Sequence, residues 1–206
     1  MTTRPRRLNA YLEALPDGMR SFPKCQVRGE VLDSTLEWLA EVDGELSPAL
    51  RDWVRSHRPL GRAMEWVPEV LLNSVFLDVA DQGYPSDQSC LDDVYRRQRE
   101  VYKTTFYRAL LMVLSPTLLT MGAADRWKAY RRGTELKVDK WDKAGASRVT
   151  TATLIHPPGL YTTLNVASLA QALVAAIDAA GARDARLELL RDGAPGETRF
   201  RLLYSA

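Results

Sequence analysis

Cysteine is scarce. Cys25 and Cys90 are the only two among 206 residues and lie in separate segments, which excludes a multi-thiolate zinc site or a framework of several disulfides and points to a reducing cytoplasm. Histidine is equally scarce: His57 and His156 are far apart, so a Cys-His or Ser-His pair would require a tertiary coincidence. Neither local sequence is a nucleophile elbow, P-loop, dinucleotide fingerprint or zinc-binding H-E-x-x-H helix. Histidine, cysteine and carboxylates show no ligand spacing, so no metal or cofactor is expected. No stretch of about 18 apolar residues occurs, which argues against a membrane span. Arg4, Arg6 and Arg7 lead into no apolar segment, which argues against an export signal. Neither sign of charge dominates: 28 Lys and Arg face 26 Asp and Glu, too even a balance to announce a nucleic-acid partner. What is present is an ordinary globular composition, 46% hydrophobic and 26% charged, with a mean hydropathy of -0.26. The length suits one sizeable core, so residues 1–28 are expected to be a partly ordered basic arm and residues 29–206 a single domain.

The first half reads as helices. Val31, Leu32, Leu36 and Leu39 keep a helical period before Gly44, and Ser47-Pro48 offers an N-cap and first-turn proline for a short helix ending near His57. From Trp66 to Ala80 hardly any polar face is left, which predicts a central buried helix. Asp87 or Ser89 can cap a long helix reaching about Leu114, with Leu91, Val94, Val101, Tyr102, Ala109 and Leu110 on its apolar side. Ser115-Pro116 opens a further helix that stops at Gly133. The period then changes to two. Leu136 and Val138 alternate outward, a turn spans Asp142 to Gly145, and Val149, Thr151, Thr153 and Ile155 return. Asn165 can cap a helix closed by Gly181, and Leu187, Leu189, Phe200 and Leu202 mark a second hairpin. About five helices followed by β-β-α-β-β gives an α+β fold with one antiparallel sheet.

Candidate site residues are few. Asn73 and Asp78 lie on the apolar helix, where a buried polar group needs a partner. They either form the floor of a pocket or tie to backbone or an arginine. Arg126, Trp127 and Tyr130 suggest a ligand or interface contact, with core packing as the plainer reading. Arg96, Arg97, Arg99 and Lys103, mixed with Tyr95 and Tyr102, resemble an anion-binding face. Interleaved Asp92, Asp93 and Glu100 favour a solvated helix face. No catalytic residue emerges.

Several segments share a cadence: Trp66-Val67-Pro68-Glu69-Val70 continuing to Asp78 and Asp81, Leu114-Ser115-Pro116, Arg126-Trp127-Lys128-Ala129-Tyr130-Arg131-Arg132-Gly133-Thr134, His156-Pro157-Pro158, and Ala179-Ala180-Gly181-Ala182-Arg183. From Val27 to Tyr204 this resembles a family of uncharacterised proteins of this length expanded in myxobacteria. More distantly it is similar to the superfamily of 4-vinyl-reductase-like sensory domains, haem nitric-oxide-binding domains and Golgi transport tethering subunits. The resemblance implies a pocket between helices and sheet for an apolar or planar ligand, and a dimer through the helices. Leu189 to Phe200 holds neither cysteine nor histidine, unlike zinc-binding sensory relatives, and no histidine falls on a predicted core helix to ligate haem. The expectation is a non-enzymatic, cytoplasmic small-molecule-binding sensor or adaptor, with a small apolar ligand or a protein as partner. The alternative is a ligand-free interaction or scaffold protein acting as a homodimer or adaptor.

Overall fold

A helix with no polar face has to be surrounded by other elements, and this is how the apolar run after Pro68 is used. In the computed structural model, which describes residues 7–57, 65–103, 122–139, 142–144, 147–190 and 193–205, it forms α4 (Glu69–Gly83), buried without a break from Glu69 to Ala80. Helices α1 (Arg7–Ala14), α2 (Gly29–Glu41) and α3 (Pro48–His57) pack against it. Each fully buried Val or Leu of α4, such as Val70, Leu71, Val75 and Leu77, contributes about 1.5–3 kcal/mol of transfer free energy.

The chain divides into two compact units. The first comprises Met1–Cys90, Tyr130–Gly133 and Gly159–Asn165. Its first segment contributes to the core, where Leu8, Tyr11, Leu15, Met19, Cys25 and Val27 are all buried. Asp81 caps α1 from the end of α4, its two oxygens accepting the backbone N–H of Arg7 at 3.0 Å and of Leu8 at 3.1 Å. A three-stranded antiparallel sheet places β1 (Gln26–Arg28) between β2 (Trp66–Pro68) and β3 (Arg131–Arg132). Trp66–Pro68 is thus a strand, where the hydropathy pattern predicted the start of the central helix. The reason is local, because the proline ring pushes the preceding residue toward extended backbone; the helix begins at Glu69. Arg131–Arg132 also leaves its predicted helix, α6 (Ala123–Tyr130) ending just before it.

The second unit comprises Leu91–Ala129, Thr134–Pro158 and Val166–Ala206. It holds a five-stranded antiparallel sheet built from β4 (Glu135–Val138), β5 (Asp142–Ala144), β6 (Ser147–Ile155), β7 (Arg183–Leu190) and β8 (Glu197–Ser205). The order is β4-β6-β8-β7, with β5 paired to β6. Helix α5 (Asp87–Lys103) enters this unit, and α7 (Thr163–Ala179) lies between the hairpins. Ile177 packs with Ala182, Leu202 and Tyr204. The α+β class is as expected, but the order is β-β-β-α-β-β, because Asp142–Ala144, expected as the turn of the first hairpin, pairs with β6 as the short strand β5. The additional three-stranded sheet is assembled from segments that read locally as an arm and as helix ends.

Three caps differ from the pattern-based expectation. At α3 the Ser47 hydroxyl is buried without a hydrogen-bond partner, and its backbone N–H instead donates to Asp78 Oδ2 at 2.8 Å. At α5 the cap is Ser86, which exchanges bonds with Ser89 in a reciprocal box. At α7 Thr162 is the cap and Asn165 its reciprocal partner. Each expected capping residue lies within a few positions of the true end, and backbone geometry chooses among them. Ala109 to Leu114, the Ser115-Pro116 cap, and Arg4 and Arg6 of the arm lie outside the described residues.

Candidate functional site

Glu69 opens α4, and an acidic residue in a first helical turn ordinarily sits in solvent, where it complements the helix dipole. Here it is fully buried. Strand β2 leads to it directly, and the Glu69 N–H donates at 3.0 Å to the carbonyl of Cys25, the residue just before β1. Two residues distant in sequence arrive at the same carboxylate: Arg131 Nε donates to Oε1 at 3.0 Å and the Tyr161 hydroxyl donates to the same oxygen at 3.1 Å. The other oxygen, Oε2, is buried with no hydrogen-bond partner. Strand alternation explains the arginine: in β3 the paired Arg131 turns inward opposite Val27, while Arg132 is exposed.

One turn along α4, Asn73 Nδ2 donates to the carbonyl of Leu160 at 2.8 Å. The Tyr11 hydroxyl donates to the same carbonyl at 2.7 Å. Cys25 is also buried, its Sγ 3.4 Å from the carbonyl of Gly133. Glu69, Asn73, Tyr11, Cys25, Arg131 and Tyr161 thus form a polar group inside the first unit.

The electrostatics follow from burial. Burial alone would lower the Arg131 pKa, but the Glu69 carboxylate and Tyr161 outweigh it and hold the guanidinium above its ordinary value. Burial pushes the Tyr11 phenol well above its usual range against an opposing hydrogen bond with Asn73, and the charge of Glu69 acts in the same upward direction. Burial, with Glu69 adding to it, pushes the Cys25 thiol up to about 11. Both groups are therefore neutral donors near pH 7, and a neutral thiol is a poor nucleophile.

Of the residues singled out from the sequence, Asn73 belongs to this group. Asp78 does not: it accepts from the Ser47 N–H and, at 2.9 Å, from Gln82 Nε2, fastening the start of α3. On α6 no residue is buried. There Trp127 Nε1 donates to Thr134 Oγ1 at 3.0 Å, Arg126 is exposed and Tyr130 is 39% exposed. The arginine-rich helix is engaged with carboxylates, Arg97 Nε donating to Asp93 at 2.8 Å and both Arg99 and Tyr95 to Asp178. Val101, expected on the apolar side of that helix, is exposed although it lies two turns from the buried Val94 on the same side. Sequence reasoning missed Glu69, Arg131, Tyr161 and Tyr11 as site residues. A carboxylate beside a run of unbroken apolar residues was the available signal.

No family model matches the chain, and no curated protein matches it. Among solved structures it is similar to three of H-NOX domains. One, from work on the function of heme distortion in the H-NOX family, has a TM-score of 0.55 at 7% identity, covering 86% of this chain and 94% of that one. The second is a Cs H-NOX mutant carrying 4-cyano-L-phenylalanine at site 5, with a TM-score of 0.53 at 9% identity over 86% and 95%. The third is an oxygen-binding H-NOX domain related to soluble guanylate cyclases, with a TM-score of 0.52 at 8% identity over 86% and 94%.

Heme appears in the description of one of these neighbours, which raises the question of whether this chain's donors suit it. A haem iron is commonly held by a histidine nitrogen. Both ring nitrogens of His156 are occupied, Nδ1 facing the Pro157 carbonyl at 2.9 Å and Nε2 facing Thr198 Oγ1 at 3.0 Å. His57, at the end of α3, has Nδ1 3.0 Å from both the Trp53 carbonyl and Ser56 Oγ, and its ring stacks on Trp53. His156 therefore has both ring nitrogens engaged, and His57 sits half-buried at the end of a surface helix. Among the described residues, then, this chain has the fold of H-NOX domains without a buried histidine that would hold haem.

Proposed function

We propose that this chain is a non-enzymatic sensor domain that binds a small molecule at the Glu69 group. The observation that carries the reading is the unpartnered Oε2 of Glu69. A buried polar atom left unpaired costs about 1–3 kcal/mol, more for a charged group, so its retention is best explained by a partner supplied from outside the chain. The likeness to H-NOX domains adds support, because one such neighbour is described as oxygen-binding and in complex with oxygen. The neutral Tyr11 and Cys25 suit binding better than bond-making chemistry. The ligand is apolar in the main with one hydrogen-bond donor, and it is not a histidine-ligated haem. Membership of the myxobacterial family and residence in a reducing cytoplasm, suited to the two buried free thiols, are part of the same reading.

Mass spectrometry of the gently purified protein, native and then denaturing, tests it. The expected result is an added mass lost on denaturation and absent from a folded Glu69→Gln variant. A bare polypeptide mass for the wild type, or the same added mass on the variant, would overturn the assignment.

A second reading has its own observation, the absence of any buried residue on α6. In it Trp127 and Tyr130 form an interface between two copies or with an adaptor partner. Sedimentation at increasing concentration should then show a dimer that Tyr130→Ser weakens.

A further inference from the structure

The five-stranded sheet of the second unit has two unlike edges. On one side β4 and β5 are four and three residues long and each contains a lysine, features that discourage pairing with another chain. On the other side β7 is eight residues long, without proline, glycine or lysine. Among the described residues it pairs only with β8, and none of its residues makes a hydrogen bond beyond that ladder. An edge strand turns alternate N–H and C=O groups away from its neighbour, so β7 presents a row of them with no protein partner. The edge is open: Arg183, Asp184, Arg186 and Glu188 are exposed, and so is Leu189, at 40%. An irregularity between Arg183 and Arg186, where Asp184 has φ +53°, confines the regular part of the ladder to residues 186–190. Within it Leu187 packs against the core, while Arg186 and Glu188 lie on the opposite face by strand alternation. Glu188 is 3.7 Å from both Arg186 Nε and Arg201 Nη1, beyond hydrogen-bond length.

We infer that β7 is a dimerisation edge, pairing antiparallel with β7 of a second copy of this chain about Leu187 and continuing one sheet into the other. The charges of the strand select that occupant. With Leu187 opposite Leu187 of the second copy, Arg186 of each copy lies opposite Glu188 of the other. These are two opposite-charge pairs of the kind that stabilise an antiparallel ladder, and the exposed Leu189 falls beside Ala185 of the second copy. Opposed residues share a face, so Leu187 stays on the core side in both copies. A slip of two residues in one direction sets Arg186 against Arg186, and in the other Glu188 against Glu188, both repulsive. A slip of one residue turns the buried face of one copy to solvent. One register alone therefore satisfies both charge and face. Arg201, opposite Glu188 across the β7–β8 pair, extends each row to Arg201, Glu188 and Arg186 of the second copy.

The test is sedimentation equilibrium of the full chain, of Arg186→Glu and Glu188→Arg separately, and of the two variants mixed. Each variant alone sets like charges opposite each other twice, whereas a mixed pair restores two opposite-charge contacts. The expected result is a dimer for the wild type, association about tenfold weaker or worse in either variant alone, and its recovery on mixing. Both side chains are exposed, and an unchanged circular dichroism melt will show that the variants fold. Hydrogen exchange of the wild type, which needs no variant, should slow with rising concentration at alternate amides of residues 186–190. A wild type that stays monomeric would overturn the assignment, as would a dimer that the variants leave unchanged or that mixing does not restore. A dimer abolished by Tyr130→Ser, with exchange in β7 independent of concentration, would also overturn it and move the interface to α6. None of these outcomes bears on the Glu69 experiment, because β7 belongs to the second unit and Glu69 to the first.

Discussion

The ion pair beneath the sheet makes a quantitative claim. Glu69 is 0% exposed and Arg131 13%, so replacing Arg131 by methionine keeps most of the side-chain bulk while leaving a buried carboxylate without its cation. Removing one partner of a buried pair costs about 3–5 kcal/mol, mainly the desolvation of the abandoned charge. This is a large part of the roughly 5–15 kcal/mol that a folded domain possesses. For a chain of this size, at about 2–4 °C per kcal/mol, the melting temperature should fall by roughly 6–20 °C. The companion variant Glu69→Leu/Arg131→Met removes both charges and should recover most of that loss, because a buried pair is often no more stabilising than apolar residues of similar volume. Urea denaturation followed by far-UV circular dichroism measures both. A loss below about 1 kcal/mol for Arg131→Met would be the behaviour of a solvent-exposed pair, and the buried geometry would be refuted. A double variant as unstable as the single one would show that shape, and not charge, governs the site.

Gly133 has φ +75°, and a Cβ there would lie 2.3 Å from the Lys24 carbonyl oxygen, so Gly133→Ala should lower the melting temperature measurably, by about 1–3 kcal/mol of strain. Asp81→Ala removes the acceptor of two α1 amides and should cost about 0.5–2 kcal/mol, seen as faster hydrogen exchange over residues 7–14 with little change in the second unit. The Cys25 thiol, raised in the fold from 9.0 to about 11, favours the folded state while neutral. Its contribution is intact below pH 9 and is lost as pH rises toward 11; a denaturation midpoint that climbs across this interval would contradict the sign. For the same reason Cys25 should resist thiol reagents at pH 8 in the native protein and react at once on unfolding, as peptide mapping will show.

The helices and the two hairpins were legible because their signals are local. Val31, Leu32, Leu36 and Leu39 repeat at helical spacing, Leu136 and Val138 alternate, and Gly181, at φ +93°, closes α7 as a glycine does. The buried character of α4 was equally clear, since no polar stripe was left to face water. Asn73 could be selected for the same reason. Its partner could not, because the Leu160 carbonyl lies 87 positions away.

The sequence by itself determined the α+β class, the helical half that precedes the hairpins and the burial of the central helix, all of which follow from periodicity within a few turns of chain. Only the tertiary structure decided that Glu69 is inside, that Arg131 and not Arg132 faces it, and that Tyr11, Asn73 and Tyr161 join them. A lone carboxylate at a helix start and an arginine pair beside a glycine read as surface. They become a buried site only when β1, β2 and β3 pair across more than a hundred residues, because the inward or outward direction of a short strand's side chains is fixed by its register with its neighbours.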